Sequence, residues 1–398
     1  MSYGCRIGLA FALGLALMAG CSDENGEGVG GAGGMAGTGG VSGMGGEGGS
    51  GGIAGQVFPC SEQGIRDAIA EGGGPHAFEC SGRTVVTKAT IFIDNDVILD
   101  GEGKLILSGA SHHRVFIVPR GVATELRGVE VIRGSAAAGD VADGGGILNF
   151  GDLVLVDSTV RDSSATSGDG GGIANGMEAS LVLVNTTVSG NAAVNGNGGG
   201  IATSMGLVTL TNSTVSGNDA FEGGGIWNDR SDVKLAYVTM SGNLAVFVTN
   251  IWTSSSSRVR VFGSIVESGC FAAAEMAIVS DGHNIESPGD TCGFDQPTDQ
   301  VNVARERLKL DRQADNNGGA TRTHALSAGS VAIDVIPAED CVDADGLLLP
   351  TDQRGFPRPV GAGCDVGAFE AELEILNPCM GVANLLACEE ASVGFCVD

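Results

Sequence analysis

The sequence predicts an all-β protein: a single-stranded parallel β-helix with a short capping helix at its N-terminal end. Three observations predict it: two markers sharing one period, and alternating apolar residues between them. Gly-Gly-Gly-Ile ends at Ile147, Ile173, Ile201 and Ile226, with a degenerate copy at Ile251, in steps of 26, 28, 25 and 25. The second marker falls at Val160, Val188, Val215, Met240 and Val266, in steps of 28, 27, 25 and 26. Shared periodicity of this length defines a structural repeat.

Counting back from the second marker, Leu153, Leu181, Val208, Val233 and Val259 stand at seven residues and Leu155, Leu183, Leu210, Leu235 and Val261 at five. Spacing by two puts both on one face of a strand. Ser158, Thr186, Ser213, Val238 and Ser264 break the alternation, so a bend is expected between two short strands. One coil cannot bury its apolar face alone, but stacked coils complete a continuous core. Val154, Val182, Thr209, Lys234 and Arg260 form an outward ladder that turns basic. Asn191, Asn218 and Asn243 are expected to stack in a corner and bond turn backbone, and the triple glycines to allow tight corners. No Gly-Lys-Ser or Gly-Lys-Thr follows the glycines, so a phosphate loop is excluded.

In chain order, Ile7 to Gly20 is apolar behind Arg6 and reads as a signal peptide, residues 1–20. It ends Leu17-Met18-Ala19-Gly20-Cys21, which resembles a bacterial lipobox and makes Cys21 the lipidated residue; secretion after Gly20 is the alternative. Residues 21–55 are rich in glycine and cannot bury a core, so they read as a flexible tether. The β-helix is assigned to residues 56–370 and a cysteine-containing tail to 371–398. Ser61 is the N-cap candidate of the capping helix, with Ile65, Ala68 and Ile69 on one face. Strands are expected at 83–86, 90–93, 97–99, 104–107 and 115–118, with a turn at 100–103 and the solenoid beginning near residue 80. Leu126, Val129 and Val131 fit one more coil, residues 277–285 another, and 308–311 and 330–334 weaker ones. About nine or ten coils at about 4.8 Å each give a shaft about 45 Å long.

Lys plus Arg is 21 and Asp plus Glu is 48, a net charge of −27; losing Arg6 makes it −28. Nucleic acid is excluded as a partner, and polyanionic sugars would need Ca²⁺ to bridge them. An exported chain favours disulfides, and proximity pairs Cys60 with Cys80, Cys270 with Cys292 and Cys341 with Cys364. Cys379, Cys388 and Cys396 leave an odd thiol.

The repeated Gly-Gly-Gly-Ile-x-Asn and Ser-Thr-Val-Ser-Gly-Asn phrases resemble right-handed β-helix proteins of the pectate-lyase-like superfamily, near bacterial surface proteins with polymorphic-outer-membrane-protein-like repeats. Residues 327–334, Thr351-Asp352-Gln353-Arg354-Gly355-Phe356-Pro357-Arg358-Pro359 and Cys364-Asp365-Val366-Gly367-Ala368-Phe369-Glu370 resemble the end of the "choice-of-anchor Q" group. The resemblance implies a right-handed helix and an outer-membrane or cell-surface address, and no assigned reaction.

Catalysis in a groove would draw on Asp157, Arg161 and Asp162, with Lys234 and Arg260 further along. His283, in Asp281-Gly282-His283-Asn284, reads as a turn residue. Trp227 and Trp252, each following an inward isoleucine and separated by one coil length, are candidates for a side-by-side sugar platform. Asp340, Asp343 and Asp345 stand at alternating, loop-like spacing ahead of the turning Gly346 and are the Ca²⁺ candidates; no cofactor is otherwise required. The expected function is a non-catalytic envelope protein with a structural, binding or adhesion role. Its partners would be the membrane, through a lipid anchor, and a polysaccharide or surface protein. The alternative is a polysaccharide lyase or glycoside hydrolase.

Overall fold

The computed structural model describes residues 55–137, 142–343 and 345–372. The leader, Cys21, nearly all of the tether, and the tail from residue 373 with its three cysteines lie outside them. The described chain winds into a right-handed parallel β-helix. Its longest sheet stacks ten strands along its main path, from Val57–Phe58 to Ile278–Gly282. A second sheet has eight strands, from Ile91–Phe92 to Cys270–Ala272, and a third has five, from Ser135–Ala136 to Leu244–Ala245.

The apolar ladders stand in the expected register. Leu153 pairs with Leu181, then Val208, Val233 and Val259, and Leu155 leads an equivalent column. All ten are at most 1% exposed. The expected bend is a left-handed residue three before each second marker: Asp157, Asn185, Asn212, Tyr237 and Gly263, with φ between 46 and 54°. One left-handed residue redirects the strand without ending it. At the glycine corner, a Cβ on Gly172 or Gly200 would lie 2.7 Å from a carbonyl oxygen of the next coil.

The asparagines form a buried chain. Asn191 Nδ2 donates to Asn218 Oδ1 and Asn218 Nδ2 to Asn243 Oδ1, both at 3.0 Å. Each also donates to a carbonyl of the preceding coil, and the Asn218 and Asn243 oxygens accept the backbone N–H of the asparagine before them. This satisfies corner groups that sheet pairing leaves over.

Two expectations at the N-terminal end are corrected. The shaft starts before residue 80, because Val57–Phe58 and Gly73–Phe78 already pair in parallel. The helix α1, Glu62–Glu71, is inserted between these strands; Ser61 caps it by accepting from Gly64 N at 3.1 Å, and Ile65, Ala68 and Ile69 are buried. The early coils carry no Gly-Gly-Gly-Ile, so the marker could not find them. Asp100–Gly103 is not a turn between strands: Val97–Ser108 is continuous, with a register shift where Glu102 and Gly103 take positive φ.

At the C-terminal end the coils stop at Ser287. Cys292 and Phe294 join the core, and the remaining chain returns as a strap along the outer flank of the long sheet. Thr321 Oγ1 donates to Asn185 O (2.9 Å), Asn212 Nδ2 to Thr351 O (2.7 Å), Ala368 N to Thr239 Oγ1 (3.0 Å) and Gly367 N to Gly263 O (2.8 Å). Residues 308–311 and 330–334 are therefore not coils. Leu310 bridges Leu326 antiparallel, and Leu308, Ala332 and Ile336 pack with Tyr237 and Ile265 in a second core outside the shaft. Cys60 bonds Cys80, Cys270 bonds Cys292 and Cys341 bonds Cys364.

Candidate functional site

Three regions of the shaft carry polar or aromatic side chains in number. The first is where the strap meets the flank, and it uses the Thr351–Pro359 and Cys364–Glu370 motifs. The Arg354 guanidinium pairs with Asp352 at 2.7 Å and lies between the Phe356 and Phe369 rings, 4.3 and 3.7 Å from their centroids. Arg358 approaches Glu370 at 3.0 Å, donates to Gly367 O at 2.9 Å and sits 4.4 Å over the Tyr237 ring. Gln353 donates to Thr187 Oγ1 and Thr321 Oγ1 at 2.9 and 2.8 Å, and accepts from Thr214 Oγ1 at 2.6 Å. Asp352, Gln353, Arg358, Asp365 and Glu370 are at most 4% exposed. Most of the donors and acceptors are spent on one another, with Arg358 Nε making an ion pair but no hydrogen bond, and this lattice locks the strap in place.

Burial pushes the Asp365 carboxyl up to about 7, reinforced by Glu370 and opposed by N–H groups of Ala371 and Asp334 and by Arg358. A raised acid pKa means that the folded state holds a proton the unfolded chain has lost. Stability from this group is therefore lost as pH rises from about 4 to about 7, then levels off. Urea midpoints of the wild type should fall relative to those of Asp365→Asn across that interval, whatever constant offset the amide brings. Parallel midpoint curves would refute the assignment.

The second region holds the sequence-chosen polar residues. Asp157 accepts from Asn185 Nδ2 at 3.0 Å. Arg161 pairs with Glu130 at 2.5 Å and with Asp162. Lys234 and Arg260 lie on a separate ladder, where Lys234 pairs with Asp345 at 2.8 Å and Arg260 binds both Asp281 oxygens at 2.9 and 2.8 Å. The structure thus brings Asp157, Arg161 and Asp162 onto one coil and keeps Lys234 and Arg260 on the other ladder, each basic group facing a carboxylate. His283 occupies a turn at φ 58°, and burial holds its imidazole pKa down. The Ca²⁺ candidates do not converge. Asp340 ends a short 3₁₀ turn, Asp343 Oδ1 accepts from the Asp345 and Leu347 N–H groups, and Asp345 is held by Lys234. Among the described residues no group of three or more His, Cys, Asp or Glu is placed to hold a metal ion.

The third region is aromatic. Trp227 and Trp252 are register partners on the second sheet, half-buried, with centroids 5.4 Å apart and planes at 15°. That separation is too short for rings lying edge to edge in one plane, so they stack face over face instead of forming a side-by-side platform. Phe271 extends the column, 6.2 Å from Trp252 at 21°, and is 45% exposed. Periodicity missed Phe271 because its coil is short: Ile251 pairs with Cys270, a smaller step than the one from Ile226 to Ile251. A second row, Phe221 and Phe247, 45% and 66% exposed with centroids 5.0 Å apart, stands before the glycine corner of the same coils. Beyond the last rung of the second sheet lies a cavity of about 500 Å³.

No family model matches the chain, and no curated protein matches it. Among solved structures the chain is similar to the crystal structure of pectate lyase Pel9A, at 12% identity and a TM-score of 0.39, over 80% of this chain and 96% of that one. What the described residues define is a parallel β-solenoid with a locked flank and an aromatic column.

Proposed function

We propose that the protein is a non-catalytic carbohydrate-binding β-helix of the cell envelope. The observation that carries this reading is the column of Trp227, Trp252 and Phe271, which ends in a half-exposed ring. Aromatic rings bind the C–H faces of sugars, and a rigid sheet holds them at little entropic cost. The net charge of −27 favours neutral or cationic glycans over uronates. The lipobox-like Leu17–Cys21 and the glycine-rich segment behind it fit a protein anchored by lipid at Cys21 and held off the outer membrane by a tether. No helix among the described residues is long and apolar enough to cross a membrane.

The test is a polysaccharide panel with and without Ca²⁺, reading retention together with new reducing or unsaturated ends. Retention without products is expected, with Trp227→Ala plus Trp252→Ala weakening it about tenfold or more, as loss of aromatic anchors does. Product formation would replace this reading with a lyase or hydrolase. Unchanged retention in the double variant would remove the column from it.

A further inference from the structure

The strand Ile226–Asp229 alternates. Ile226 and Asn228 are fully buried inside the shaft, so Trp227 and Asp229 share its outer face. Stacked carbons sit about 3.5–4 Å apart, so a centroid separation of 5.4 Å displaces Trp227 sideways from Trp252 by about 4 Å. Each ring therefore leaves part of a face uncovered. Two residues beyond the ring column, on the same face, runs a polar row of Ser204, Asp229 and Ser254. On the earlier coils, where Leu148 and Ala174 stand in place of rings, that position holds Phe150 and Gly176. Asp229 is the charged member of the row. Its Oδ2 accepts from Arg230 Nε at 2.9 Å, while among the described residues Oδ1 accepts no hydrogen bond. Arg230 takes φ 51°, and its N–H is held by Ser254 Oγ of the next coil at 3.2 Å. Its guanidinium has no partner but Asp229 among the described residues, and its side chain is 55% exposed. A free carboxylate oxygen and free guanidinium N–H groups thus stand side by side at the edge of the ring column.

Resting on the carbohydrate-binding reading, we propose that Asp229 and Arg230 select a vicinal diol on the sugar that lies against the rings, which makes the ligand a 1,4-linked neutral hexopyranose chain. A hydroxyl both donates and accepts, so two adjacent ones can serve the pair at once. One donates to Asp229 Oδ1, and the oxygen of its neighbour accepts from Arg230. Both bonds involve an ionised partner and are stronger than neutral ones. A 1,4-linked chain keeps O2 and O3 free on every sugar within it. Linkage through O3 removes one member of that diol, and a 2-acetamido group replaces the other.

The test titrates the purified full chain, by calorimetry, with four hexamers: β-1,4-linked glucose, β-1,4-linked mannose, β-1,3-linked glucose and β-1,4-linked N-acetylglucosamine. The better of the first two should bind about tenfold more tightly than either of the last two, the scale of a hydrogen bond to a charged group. Asp229→Ala with Arg230→Ala should bring both ratios to about one. The pair is exposed, so its removal leaves the fold in place, which thermal unfolding checks. Trp252→Ala should weaken every hexamer that binds while the ratios persist. Equal binding by the wild type, or a preference that survives the double alanine variant, overturns the diol proposal. If Trp252→Ala still weakens binding in that case, the carbohydrate reading stands without it. Binding of no hexamer by the wild type overturns the diol proposal, and the polysaccharide panel then decides the wider reading separately.

Discussion

Arg358→Ala is expected to destabilise the protein by about 3–5 kcal/mol, the cost of leaving a buried carboxylate without its partner. Glu370 would lose the guanidinium 3.0 Å away, Gly367 O its donor, and Tyr237 the cation over its ring. Burial already raises the pKa of Glu370, so part of the loss would be met by protonation. Urea unfolding measures the total, and limited proteolysis should cut the strap while the coils resist. Arg260→Ala is the comparison, because its pair with Asp281 is exposed and such pairs are worth about 0–1 kcal/mol. If the two variants unfold within about 1 kcal/mol of each other, the lattice is not a lock.

The second large effect is expected inside the shaft. Asn218→Leu removes an acceptor for both the backbone and the side-chain N–H groups of Asn191, and donors to Val188 O and Asn243 Oδ1. Each buried group left unpaired costs about 1–3 kcal/mol, so a loss of about 4 kcal/mol or more is expected. Hydrogen exchange should show the damage centred on the coils from Asn191 to Asn243. A loss below about 1 kcal/mol would mean that water replaces the side chain at no real cost.

These two sites differ in how far the sequence announced them. The asparagine column was legible because its members recur at the coil period, and so were the leucine and valine columns, whose spacing by two admits one inward face. Trp227 and Trp252 were legible for the same reason, yet period alone could not say whether their rings lie flat or face over face. The contacts of Arg358 with Tyr237 and of Gln353 with Thr187 join residues more than a hundred positions apart with no period between them. The strap could thus be recognised as a motif but not placed. The opening coils escaped because a helix interrupts them and no Gly-Gly-Gly-Ile marks them. Cys270 and Cys292 were paired correctly, because they are neighbours in the chain as well as in space.

The strap also sets an order of assembly. Each rung pairs with the rung one coil before it in the chain, so a chain emerging N-terminus first can close every coil on a surface already present. The lock has no such local route. Thr187, Asn212, Thr214 and Tyr237 must wait for residues 321–358, close to the end of the described chain. Construction of the shaft is thereby separated in time from its fastening, and a chain acquires both only after residue 358 has been made.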